Sequence, residues 1–156
     1  MRASTAAGGR RGAGRWVADL GGAASVEFAL LLPLLVTLVV GMIDYAQLAY
    51  QSMEVAAAAH AGADYALHYG YNSSAIAGAV TAATGLTVSA TPAPAQTTAC
   101  VTGGAIVATV ATTCASGGAP GSYVTVDAQA TFTPILAWAS FGMPSTLSAR
   151  AMVRIS

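Results

Sequence analysis

His60, Asp64 and His68 recur at steps of four, the spacing that puts metal ligands on one face of a helix. The two histidines are eight residues apart, about 12 Å along a helix axis. A zinc–nitrogen bond is about 2.1 Å, so both rings would strain toward one ion. Exposed ion pairs at i,i+4 explain the pattern at less cost, and no metal site is expected. Nucleophilic catalysis needs a base beside a serine or cysteine and a group to orient it. Both histidines lie on the same helix, and Asp127 is the one carboxylate in the strand-rich region. No glycine-flanked nucleophile occurs, so neither an enzyme nor a cofactor is expected. Cys100, Cys114 and the carboxylate of Glu27, set at the start of a long apolar run, remain. The cysteines would close a loop of 15 residues, which chain entropy values at about 3 kcal/mol. A bond between them is expected; two buried thiols and an intermolecular bond are the alternatives.

These groups are carried by a chain of 156 residues, room for one domain and one hydrophobic anchor. Hydrophobic residues make up 55% and charged ones 8%, and much of the apolar share is alanine. The absence of lysine excludes Schiff-base chemistry and a lysine-based phosphate loop. Net charge is zero but unevenly spread. Residues 1–22 hold Arg2, Arg10, Arg11 and Arg15 against Asp19, a balance of +3. Residues 23–156 hold Arg150 and Arg154 against Glu27, Asp44, Glu54, Asp64 and Asp127, a balance of −3. No basic surface remains to follow a nucleic-acid backbone.

Phe28 to Ile43 is 16 residues without a charge, slightly short for a span. Starting at Ala23 gives 21 residues and about 31 Å, the thickness of a hydrocarbon core. Arginines before the span predict a cytoplasmic N-terminus and an exported C-terminal region, where disulfides persist. No small-x-small cleavage site follows the run, so the segment is expected to stay attached. Glu27 falls one turn inside the cytoplasmic end, where a charge costs less than the roughly 3 kcal/mol of mid-bilayer. Pro33 deprives the Ala29 carbonyl of its amide partner. A tolerated irregularity and a built-in kink are equally consistent with it.

The run Gly22, Ala23-Ala24-Ser25-Val26, Glu27-Phe28 ahead of an apolar helix resembles the prepilin-peptidase motif of Flp/Tad-type pilins. The stretch EFALLLPLLVTLVVGMIDYAQLAY is similar to TadE-like pseudopilins, with a proline in the span and an acidic-aromatic pair after it. The resemblance implies cleavage between Gly22 and Ala23, which leaves Glu27 fifth in the mature chain. It also implies an assembly role for Glu27 and Phe28. A free ammonium at Ala23 and a neighbouring subunit's carboxylate are each costly alone in an apolar setting and tolerable as a pair. The implied function is a minor pseudopilin or assembly protein of a Tad-type (Flp) pilus, acting in pilus biogenesis and surface adherence. The implied partners are prepilin peptidase, other pilins or pseudopilins, the Tad assembly platform and the bacterial cytoplasmic membrane, with no nucleic acid. The alternative is an unprocessed, signal-anchored binding module.

Beyond the span the helical pattern continues to about Tyr69. Leu48, Ser52, Val55, Ala59, Gly62, Ala66 and Tyr69 form a seam of mostly small residues, and Asp44, Gln47, Gln51 and Glu54 a polar stripe. Such a seam lets another backbone approach closely, and packing against the C-terminal region of the same chain is expected. Gly70 to Ser74 breaks the helix and offers caps for a short helix over 74–84, stopped by Gly85. Strands are expected at 86–91, 105–112, 122–132 and 146–155, with TPAPAQ and SGGAPG as loops. The third alternates most cleanly, with Val124, Val126, Ala128, Ala130 and Phe132 on the core side. The ending FTPILAWASFGMPSTLSARAMVRIS resembles the close of TadE-like chains. Its Ile135, Leu136, Trp138 and Phe141 are expected to plug the core, an apolar loop touching lipid or another subunit being the alternative.

The expected fold class is α+β: a long transmembrane and amphipathic helix over about 23–69, a short second helix, and a small antiparallel sheet of about four strands. The expected organisation is a leader over 1–22, a span over 23–43, an exported helical segment over 44–85 and a β-rich domain over 86–156.

Overall fold

The computed structural model describes residues 20–136 and 142–156, with side chains from Ser25 onward. Helix α1 runs from Leu20 to Tyr69. The chain falls into two compact units, one ending at Leu38 and the other comprising Val39–Ser156. Within the first, α1 continues through Pro33, and the Thr37 hydroxyl donates to the Pro33 carbonyl at 2.7 Å. Apolar side chains on every side of this stretch are exposed, with Leu30 at 76%. A helix apolar all round is stable only where its surroundings are apolar too.

In the second unit α1 ends at Gly70, whose φ of +79° is one that glycine adopts without penalty. Its N–H donates to the Ala66 carbonyl at 3.0 Å, satisfying one of the last free acceptors of the helix. Helix α2, Ser73–Ala82, begins immediately after. The side chain of Asn72 caps it by accepting from the Ala75 N–H at 3.1 Å, so α2 starts one residue earlier than expected.

Five antiparallel strands follow: β1 Val88–Ser89, β2 Ala95–Thr102, β3 Ala105–Ala108, β4 Gly121–Thr131 and β5 Thr146–Arg154. Four of these answer to the expected strands; β2 does not, and its first two residues fall within the expected TPAPAQ loop. Strand β4 is central. Strand β5 pairs along one of its edges from Tyr123 to Thr131. The other edge takes β2 along Gly121–Thr125 and β1 at Gln129–Ala130. Strand β3 lies outside β2, joined by the two-residue turn Gly103-Gly104. Both glycines have positive φ, +60° and +82°, as the tightest hairpin turns require.

The core lies between α1, α2 and one face of this sheet. Val124, Val126, Ala128, Ala130 and Phe132 point inward as their alternation implies. Against them pack Val55, Ala58, Ala59, Ala63 and Ala66 of α1 and Ile76 and Val80 of α2. The expected seam is therefore intramolecular, but shifted. Ala58 and Ala63 join it, whereas Ser52 and Tyr69 are exposed. On the outer face the cross-strand pair Asp127 and Arg150 is joined by a 2.6 Å hydrogen bond from the guanidinium Nε. That hydrogen bond first, and the carboxylate's charge second, raise the Arg150 pKa above its usual value.

Gly62 marks the closest approach of α1 to its neighbours. A Cβ there would stand 2.6 Å from Val80 Cγ2 and 2.9 Å from Val126 Cγ1, both branched side chains with little room to yield. Gly78 in α2 faces open space. Gly62→Val should destabilise the protein by about 1–3 kcal/mol through overpacking. Gly78→Ala should stabilise it by about 0.5–1 kcal/mol through helix propensity alone. Thermal unfolding of the full chain in detergent micelles checks both. Shifts of the same sign would contradict this packing.

Candidate functional site

Among the described residues, α1 is one helix long and apolar enough to cross a membrane. The proposed processing positions Gly22 and Ala23 fall within its backbone, while their side chains lie outside the described residues, as does the arginine-bearing leader. Glu27 and Phe28 are both exposed on the helix surface. None of the described residues covers either side chain.

At the other end of the apolar run stands a site that helical periodicity misplaces. Asp44 belongs by spacing to the stripe of Gln47, Gln51 and Glu54, yet it is fully buried. Its Oδ1 accepts the Ile135 N–H at 2.8 Å and its Oδ2 accepts the Leu136 N–H at 3.1 Å. A buried carboxylate is tolerable when its oxygens meet donors, and backbone N–H groups facing a charge make strong hydrogen bonds. The loop it holds is closed at its base, where the Phe132 N–H donates to the Ser145 carbonyl at 2.9 Å. Strands β4 and β5 bring the two ends of the loop together, and Phe132 enters the core at one of them. The acidic residue just after the span and the Phe-Thr-Pro turn were each visible in the sequence. Nothing local links residues 91 and 92 positions apart.

Of the four residues expected to plug the core, Ile135 does not do so. Ile135 is 61% exposed, because its backbone is turned toward Asp44 and its side chain away from the core. Leu136 is half-buried, and Trp138 and Phe141 lie outside the described residues.

Cys100 on β2 and Cys114 stand at disulfide distance, with Cα atoms 5.6 Å apart. Cys100 is opposite Val107 across the β2–β3 hairpin. Cys114 arrives from the turn beyond, held by hydrogen bonds of 2.8 Å from its own N–H to the Gly118 carbonyl and from the Gly117 N–H to its carbonyl. His60, Asp64 and His68 are all exposed and no ion pair joins them, so the expected i,i+4 pairing is absent. No cluster of metal-ligating side chains occurs among the described residues.

Asp44→Ala should lower stability by about 1–3 kcal/mol for each amide left without its acceptor. Asp44→Asn should also destabilise, since it keeps one oxygen and turns an NH₂ toward the second donor. Thermal unfolding of the full chain in detergent measures both. Wild-type stability in Asp44→Ala would contradict the hydrogen bonds described.

No curated protein and no solved structure matches the chain. A family model does: residues 22–64, which include the apolar run of α1 and the stem through most of its buried seam, match the family described as TadE-like protein.

Proposed function

We propose that this chain is a minor pseudopilin, or assembly protein, of a Tad-type (Flp) pilus, anchored by α1 in the cytoplasmic membrane. The observation that carries this reading is the TadE-like match, which begins at Gly22 and includes Glu27 and the whole apolar run. In this reading prepilin peptidase removes residues 1–22 on the cytoplasmic side and exposes an ammonium at Ala23. Glu27, exposed among the described residues, then meets the ammonium of a neighbouring pilin or pseudopilin. The domain beyond Asp44 lies outside the cytoplasm, where Cys100 and Cys114 oxidise. Pro33 marks the point where the span bends as it leaves the bilayer for an assembly of like helices. The partners are the membrane, the peptidase, other pilins and the Tad platform; the outcome is pilus biogenesis and surface adherence. The role is structural rather than catalytic.

Co-expression with an active prepilin peptidase should shorten the chain by its first 22 residues, as read by intact mass, and Gly22→Val should block the change. A narrow peptidase site accepts only a small residue before the cut. An unshortened wild-type chain would instead support the unprocessed, signal-anchored module. Glu27→Ala should insert at least as well as wild type, since it removes a burial cost. It should nevertheless co-purify poorly with other pseudopilins, and undiminished co-purification would refute the pairing.

A further inference from the structure

The span of α1 and the buried Asp44 are adjacent in the chain, and together they fix where the loop after β4 must be. Ile43 closes the apolar run and Asp44 is the next residue of the same helix. The Ile135 amide is 2.8 Å from the Asp44 carboxylate. A two-carbon side chain and one hydrogen bond cannot carry the loop beyond the headgroup layer, which is about 5–8 Å deep on each side of a bilayer.

What the chain presents at that level is apolar. Ile135 is 61% exposed and Tyr45, next to the clamp on α1, is 67% exposed. Met42 and Ile43 are exposed just below them. The segment from Thr133 to Pro144 carries no charged residue. Tyrosine beside aliphatic side chains at the end of a span is the composition of the membrane interface, not of a wet surface. A soluble domain that merely followed an anchor would put polar residues here.

We propose that the loop held by Asp44 is a second membrane contact, with Ile135 inserted beside Tyr45 at the boundary between headgroups and acyl chains of the outer leaflet. The proposal rests on the reading of α1 as a bilayer span. Asp44 acts as a positioning residue: its carboxylate fixes the loop backbone so that the Ile135 side chain is turned away from the core. The chain then grips the membrane at two places, and leaving the bilayer requires the loop to leave the interface as well as the helix to leave the lipid.

Single-tryptophan reporters test this in the full chain carrying Trp16→Phe and Trp138→Phe, reconstituted in phosphatidylcholine vesicles brominated either near the top of the acyl chain or near its terminal methyl. Ile135→Trp should lose more emission to the shallow bromines than to the deep ones. Leu35→Trp in the span should show the opposite order, and Val110→Trp on the far hairpin should keep its emission with both. Adding Asp44→Ala should reduce the quenching of Ile135→Trp while leaving that of Leu35→Trp unchanged. An unquenched Ile135→Trp beside a quenched Leu35→Trp would overturn the proposal alone. An unquenched Leu35→Trp would overturn the span reading and the proposal with it. Quenching of Ile135→Trp that survives Asp44→Ala undiminished would overturn the positioning role of Asp44.

Discussion

A carboxylate buried where a helix emerges from its apolar run is the constraint on which the rest of this structure turns. Asp44 has no exposed surface, and a carboxyl group so placed is costly unless its oxygens are hydrogen-bonded. Its oxygens accept from the backbone of Ile135 and Leu136, so the loop cannot drift without breaking those hydrogen bonds. The loop's ends are in turn the end of β4 and the start of β5, closed by the bond from Phe132 to Ser145. One side chain thereby ties the first turn beyond the apolar run to the two longest strands of the sheet.

What lets the stem lie on that sheet is the smallness of its inner face. Alanines at 58, 59, 63 and 66 and glycine at 62 bring the helix backbone close to Val124, Val126 and Val80, and the bulk of the core comes from the other side. The helix gains little from each alanine and depends on the closeness they permit, since dispersion attraction falls steeply when a gap opens. The apolar stretch and the stem belong to one helix, Leu20–Tyr69.

The parts of this fold legible in the sequence are those where one face is buried and the residues contrast. Strand β4 was legible because buried Val124, Val126, Ala128 and Ala130 alternate with the polar Thr125, Asp127 and Gln129. Helix α1 was legible from its unbroken apolar run and its repeating small residues. Strand β2 was hidden because six of its eight residues are exposed and two prolines precede it, leaving no period of two to detect. The shifted seam was hidden because alanine reads alike on either side of a helix, so Ala58 and Ala63 gave no signal of burial. The loop was half legible: its apolar character was plain, and the exposure of Ile135 needed the direction of its backbone. Asp44 was misread for a physical reason. Periodicity reports which residues share a face, and a lone buried acid among polar neighbours shares theirs until a distant backbone covers it.

The TadE-like match covers the apolar run and most of the stem, and the clamp explains how the β-rich region is attached to the stem. Amide hydrogen exchange of the full chain in lipid nanodiscs, read at Ile135 and Leu136, tests that clamp most directly. The account predicts slow exchange at both amides, comparable to the paired amides of β4, and fast exchange once Asp44 is replaced by alanine. Wild-type amides exchanging as fast as those of an unprotected loop would contradict it.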